Sequence, residues 1–241
     1  METHLEEEKR NKYSYFEIRV TGKLAMYTDP VTRLSSEKIS YPIPVYSALK
    51  GILESVYFDP VIQWVIDDCR IMNQIKWESV WFLDPYRKDR VLQNYLSDCE
   101  YQVRAHMIPN YDIYKAEDIR NIRLCIESAR KALRVGGRRY AYLGTKKCPA
   151  YVDNIKFGEG NGYYNNTGLQ RYELMFHSFE YPEHNKQNVF KARFWRPVMN
   201  DGVIHFGKPY KFDYVRVLHN LNPYIPPPIR YGGNHGTSII I

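Results

Sequence analysis

Residues 119–139 read IRNIRLCIESARKALRVGGRR, and the way they fold decides the class of the whole chain. At about 100° per residue, Ile119, Ile122, Ile126, Ala129 and Leu133 gather on one side. Arg120, Arg123, Arg130, Lys131 and Arg134 gather on the other. The pattern predicts an amphipathic helix. Gly136-Gly137 stops it, because glycine accepts the left-handed conformation of a C-cap. Between Arg120 and Arg139 the one acid is Glu127. The charged side reads either as a solvated face with cations at the favoured end of the helix dipole, or as a surface that tracks phosphates. Arg138 and Arg139 follow the glycines at once, on a turn whose amides also suit an anion.

Working outward from this helix gives the order of elements. Before it, residues 99–108 alternate Tyr101, Val103, Ala105 and Met107 and predict a strand. Residues 61–66 and 70–82 are rich in Ile, Val and Trp and predict two more, followed by a charged loop over 84–90. Residues 46–58 predict a first helix with Ala48, Leu49, Ile52, Leu53 and Val56 on its apolar side, ended by Asp59-Pro60. Residues 39–43 are short and extended, and Pro42 and Pro44 bar them from a central strand. A polar loop over 29–38 separates them from a long first strand over 13–27. After the basic helix, 140–143 and 150–155 predict a strand or pair. The sum is β-α-β-β-α-β, an α+β ferredoxin-like (RRM-like) arrangement with two helices on one face of an antiparallel sheet.

From residue 157 the composition shifts to glycine, Tyr and Asn. Strand patterns follow at 170–181, 189–198 and 203–206, with Asn200-Asp201-Gly202 as a hairpin turn between the last two. The expected organisation is a flexible N-terminus over 1–12, a ferredoxin-like domain over 13–156, a small antiparallel β extension over 157–220, and a Pro/Gly-rich tail over 221–241. Gly158-Glu159-Gly160 follows a strand but opens no helix, so it reads as a turn rather than a nucleotide loop.

The 241 residues carry a formal charge of +7, which favours a polyanionic partner. The 22 tyrosines suit either base stacking beside phosphate contacts or an ordinary antiparallel sheet. Cys69, Cys99, Cys125 and Cys148 form no CxxC pair, which argues against a zinc site or a disulfide framework and fits a reducing cytoplasm. The polar first residues are no signal peptide, and no apolar run approaches the ~20 residues of a membrane span. No metal-ligand spacing, P-loop or nucleophile elbow occurs, and no cofactor is expected.

Metal-free RNA cleavage needs a base, a cation and a positioned 2′-hydroxyl. Tyr57, at the end of the first helix, suits the first role or is a half-buried aromatic. His106 lies within a strand and reads as catalytic or structural, and Tyr41 as a base-stacking or a packing ring. Lys23, Lys38, Lys50, Lys146 and Lys147 extend the basic surface begun by Arg120, Arg123, Arg130, Arg134, Arg138 and Arg139.

Several segments then recur together. They are Gly22-Lys23-Leu24-Ala25, Tyr27-Thr28-Asp29-Pro30, Glu37-Lys38-Ile39-Ser40-Tyr41-Pro42 and Ser47-Ala48-Leu49-Lys50-Gly51-Ile52-Leu53-Glu54-Ser55-Val56-Tyr57. Further on come Tyr101-Gln102-Val103-Arg104-Ala105-His106, Gly136-Gly137-Arg138-Arg139 with Leu143-Gly144, and Val198-Met199-Asn200-Asp201-Gly202. With these the chain resembles the CRISPR-associated RAMP proteins of family five, d-type, of type I-C interference systems, from about residue 14 to 206. The resemblance implies a ferredoxin-like core and a part in antiviral defence. It also implies binding of CRISPR repeat RNA at the 5′ handle of crRNA in a surveillance complex, Cascade. Expected partners are that RNA, the backbone and large subunits of the complex and target DNA within it, with no membrane. In the family, metal-independent cleavage of precursor crRNA is attributed to a tyrosine after the first helix and an adjacent Lys-His pair. The tyrosine corresponds to Tyr57. Aligned without gaps from His106 to Gly136-Gly137, the pair's positions hold Leu124 and Cys125, and neither replaces a cation or an imidazole. The expectation is therefore a handle-binding subunit that also cuts, or a purely non-catalytic cap. A basic ferredoxin-like module for another RNA or duplex DNA is a third.

Overall fold

The computed structural model describes residues 15–28, 38–83, 90–111, 114, 122–181, 189–206 and 212–220. The expected N-terminal lead-in, most of the 29–38 and 84–90 loops, Ile119, Arg120 and the 221–241 tail lie outside the described residues.

Strand β1 (Tyr15–Ala25) has the alternation that its sequence predicts: Phe16, Ile18 and Val20 are buried, while Tyr15 and Arg19 face outward. It pairs antiparallel with β5 (Arg90–Pro109) on one side and β7 (Pro149–Asn154) on the other. Beyond β5 lies β3 (Ile62–Ile71), also antiparallel. These strands are joined in the chain by α1 (Tyr46–Val56) and α2 (Ile122–Leu133). The buried side of α1 is Leu49, Ile52, Leu53 and Val56, and that of α2 is Cys125, Ala129, Ala132 and Leu133. Both sides join Phe16, Ile18, Val20 and Trp64 in one hydrophobic core. The described chain is thus mainly antiparallel β-sheet with two helices.

Two strand boundaries differ from those expected. The sequence predicts separate strands over 61–66 and 70–82, with the break at the polar residues between them. Instead β3 runs through Asp67-Asp68, and the break comes after Ile71, before β4 (Trp77–Leu83). A register shift between Ile66 and Asp68 leaves Asp67 as a bulge. Asp68 then lies opposite Arg104, whose Nε donates to its carboxylate at 2.7 Å. A paired charge stays in a strand that an unpaired one would interrupt. Strand β5 begins at Arg90 rather than near Cys99, because its first part pairs with β4 from Trp77↔Leu96 to Leu83↔Arg90. Strand β2 (Lys38–Ile39) adds a short parallel pairing to Gln93 and Asn94.

The C-terminal region divides between two sheets. Strands β8 (Leu169–Arg171), β11 (Val198–Asn200) and β12 (Val203–His205) extend the main sheet, whose order is β6-β7-β1-β5-β3-β12-β11-β8 with β6 (Ala141–Tyr142) at the edge. β12 covers the outer edge of β3, which would otherwise leave its backbone groups unpaired. The turn between β11 and β12 has positive φ at both Asp201 (48°) and Gly202 (84°), the type I′ geometry that matches strand twist. Strands β9 (Met175–Glu180), β10 (Val189–Trp195) and β13 (Tyr214–Asn220) form the second sheet, and β13 has no counterpart among the predicted strands. The glycine-rich loop after β7 closes over Arg70, whose guanidinium donates to the carbonyls of Glu159 (3.2 Å) and Gly160 (2.9 Å) and to Asn165 Oδ1 (2.9 Å). It is a structural turn. All four cysteines are buried and free. No helix among the described residues is long and apolar enough to cross a membrane.

Candidate nucleic-acid interface

Helix α1 ends at Val56, and Tyr57 is already extended (φ −152°, ψ 126°) while its N–H still donates to Leu53 O at 2.9 Å. This turns the Tyr57 ring back against α2. Its carbonyl accepts from Trp64 Nε1 at 2.8 Å, its hydroxyl lies 3.4 Å from Asp59 Oδ2, and the Cys125 thiol contacts the same hydroxyl. The Arg138 guanidinium covers the ring face at 4.6 Å. Only 5% of Tyr57 is exposed. Burial pushes the phenol well above its ordinary pKa, the Cys125 thiol and the Asp59 carboxylate push the same way, and Arg138 offsets only part of this. Burial also raises the Cys125 thiol. At neutral pH both groups keep their protons, so neither is poised as a general base.

The turn after α2 brings the arginines here. Gly136 (φ 81°) and Gly137 (φ 110°) are left-handed, and their amides donate to Leu133 O and Ala132 O, each at 3.0 Å. A Cβ at Gly137 would stand 3.1 Å from Val56 Cα, so the chain passes directly over the end of α1. Arg138 and Arg139 then donate their amides to Val56 O (3.2 Å) and Ser55 O (3.0 Å). The sequence suggests amides open to an anion; instead they are spent on the terminal carbonyls of α1, which need partners of their own. What remains for a ligand is the pair of side chains.

Past this turn the chain lines a groove of about 560 Å³ beside α1. Lys38, Tyr140, Tyr142, Lys146 and Lys147 border it, with Ser47, Gly51 and Ser55 of α1 on another side. Tyr140 is 87% exposed. Lys147 Nζ lies 4.0 Å over the Phe82 ring, which tethers it to β4. Because Ser55 lines the groove and its carbonyl accepts from the Arg139 amide, the exposed Arg138 and Arg139 stand beside the groove, over the buried Tyr57.

A family model described as CRISPR-associated protein (Cas_Cas5), the Cas5d type, matches residues 15–207. The chain belongs to the Cas5d family. It is similar to a protein of Mannheimia succiniciproducens named CRISPR pre-crRNA endoribonuclease Cas5d, 35% identical over 26% of this chain and 27% of that one. A protein of Thermus thermophilus with the same name is 24% identical over 56% of this chain and 61% of its own length. The matched segments thus span less than two thirds of either relative. A crystal structure of a CRISPR-associated protein superposes with a TM-score of 0.71 at 30% identity, covering 84% of this chain and 96% of that one.

In this Cas5d chain the expected basic residues do not form a single face. Arg138 and Arg139 stand at the end of α1, and Lys38, Lys146 and Lys147 border the groove that runs beside that helix. Arg130 and Arg134 line a separate cleft of about 820 Å³ together with Arg104 and the carboxylates of Glu17, Asp67 and Asp68. Arg123 is exposed on α2 and Lys23 on β1, and neither lines the groove. Lys50 pairs with Glu54 at 3.9 Å along α1. Tyr41 packs against the core, and its hydroxyl accepts from Phe176 N at 3.3 Å. His106 holds Asp67 through Nδ1 at 2.8 Å. Leu124 is 58% exposed, whereas Cys125 is the residue that meets Tyr57. Sequence reasoning missed Tyr140, Tyr142 and Gly51 in the groove. Tyr140 had a readable signal, an aromatic directly after two arginines; the groove itself exists only in three dimensions.

Proposed function

We propose that this Cas5d chain binds the repeat-derived 5′ handle of crRNA as a cytoplasmic subunit of a type I-C surveillance complex, Cascade, in CRISPR defence. The observation that carries the reading is the cationic and aromatic groove of Lys38, Tyr140, Lys146 and Lys147, with Arg138 and Arg139 beside it. Lysines and arginines neutralise phosphates, and exposed tyrosine rings take unstacked bases, the usual means of holding single-stranded RNA. The platform is read as a ferredoxin-like domain over 13–156. The spatial order β7-β1-β5-β3, antiparallel throughout and connected in the chain by α1 and α2, supports this. The β extension over 157–220, crRNA, and the backbone and large subunits of the complex complete the proposed setting, with target DNA reached only within the assembly.

The two relatives are named endoribonucleases, and cleavage of precursor crRNA is the family's expected activity. A second reading, a non-catalytic cap of the handle, is favoured by the state of Tyr57. Its phenol is buried and protonated, its neighbour is the Cys125 thiol, and its nearby cation lies on the ring face. Incubating the purified protein with its repeat RNA in EDTA tests both. Specific binding with no cleavage supports the cap. Cleavage that Tyr57→Phe abolishes restores the enzyme reading, and absence of specific binding overturns both.

A further inference from the structure

Each described glycine except Gly51 has an internal reason to be glycine. Gly136, Gly137, Gly144, Gly158, Gly160, Gly168 and Gly202 have positive φ, where a side chain is strained. A Cβ at Gly22 would meet Leu143 Cδ1 at 2.5 Å, and one at Gly162 would meet Ile71 O at 3.3 Å. Gly51 is different. It lies in the middle of α1, exposed, and a Cβ there would meet no atom within 4 Å. Glycine inside a helix destabilises it relative to alanine, so the fold alone would be better served by a side chain. Among the described residues, the feature at this position is the groove, which Gly51 lines together with Lys38, Tyr140, Lys146 and Lys147.

We infer that Gly51 is a contact point for the bound RNA, where a ribose-phosphate lies directly on the bare backbone of α1. The inference rests on the RNA-binding reading above and narrows it to one position. The lysines bordering the groove supply charge complementary to the phosphate, and Tyr140 offers an exposed ring to the attached base. A groove of about 560 Å³ lies within the usual range of ligand sites, and its helical side is lowest at Gly51, which has no side chain. A side chain at position 51 would occupy the space that the sugar needs. The contact is steric, adds no charge, and fixes how closely the strand approaches the helix.

The test uses the full-length protein with Gly51→Ala and Gly51→Gln, and Lys146→Ala/Lys147→Ala as the electrostatic comparison. Both Gly51 variants should melt about 2–4 °C higher, because both replace helical glycine by a better helix former. Gly51→Gln should nevertheless bind repeat RNA about tenfold or more weakly, and Gly51→Ala a few-fold more weakly, with the slope of affinity against salt unchanged because no cation is removed. The lysine double variant should reduce that slope. If Gly51→Gln binds as the wild type does while the lysine variant is weakened, the inference falls, RNA binding stands, and the strand passes along the lysine side of the groove without reaching Gly51. If Gly51→Gln melts lower than the wild type, glycine has an internal structural role and the inference falls as well. If the wild type binds no repeat RNA, the functional reading fails first.

Discussion

The guanidinium of Arg138 lies 4.6 Å over the ring of Tyr57, and this contact joins the end of α1 to the turn that ends α2. The arginine reaches it because Gly137 passes close over Val56 and the amides of Arg138 and Arg139 tie off the last carbonyls of α1. Its side chain is therefore removable without removing the peptide that holds the turn.

Arg138→Ala with Arg139→Ala should leave the fold intact, losing about 0.5–1 kcal/mol for the ring interaction. Repeat-RNA affinity should fall, and the log–log slope against salt should shrink by about 0.7 for each phosphate that is no longer neutralised. Arg130→Ala with Arg134→Ala should change that slope far less, since those side chains share their cleft with Glu17, Asp67 and Asp68. Filter binding over a salt series measures both. Equal reductions from the two pairs would show that the RNA also occupies the cleft.

Cys125 stands where an imidazole would meet the Tyr57 hydroxyl. Wild type and Tyr57→Phe should therefore give the same background of metal-free cleavage. Leu124→Lys with Cys125→His should raise it, because an imidazole would then adjoin the phenol, with a cation one position away on the exposed side of α2. Repeat RNA resolved on a denaturing gel in EDTA reads the outcome, and a double variant no faster than wild type would count against Tyr57 as a cleavage centre in this chain.

Gly144 has φ 88°, and a Cβ there would fall 2.0 Å from the backbone oxygen of Met26. Gly144→Ala should cost at least about 3 kcal/mol in denaturant unfolding, since backbone rather than a flexible side chain must move. Gly158 has φ 91° but open space around it. Gly158→Ala should cost only about 1 kcal/mol, the conformational part alone.

His177 is buried, with its ring stacked on Tyr46 at 4.5 Å. Burial first, and the Arg193 charge second, bring its pKa down to about 3. In the unfolded chain the imidazole takes up a proton below about 6.5. Its contribution is therefore complete above that pH and is lost as the pH falls toward 3. At about pH 5 the loss is roughly 2 kcal/mol. Melting curves between neutral and acid pH should show it, and His177→Phe should flatten the dependence. An equally steep acid loss in the variant would assign the effect to another group.

Local pattern reached far into this fold. The alternation of Phe16, Ile18 and Val20, the apolar side of α1, the stop at Gly136-Gly137 and the Asp201-Gly202 turn are all governed by residues within a few positions of one another. Each of these is therefore readable from the chain. The two helices and the mainly antiparallel sheet follow from the same periodicities.

Distant pairing is not readable in this way. Asp67-Asp68 has the composition of a break, and Arg104, far along the chain, makes it part of a strand. Residues 203–205 have the pattern of an appendix, and the bare edge of β3 takes them into the main sheet. The basic residues around α2 have the spacing of one face, but burial of Cys125 against Tyr57 and the turn over Val56 send Arg130 and Arg134 to one cleft and Arg138 and Arg139 to the end of α1. By itself the sequence determined which residues are charged, which are apolar, and at what period they recur. Only the tertiary structure decided which charges share a surface and which phenol is shifted upward by burial, because both depend on desolvation and on neighbours that the chain brings together from far apart.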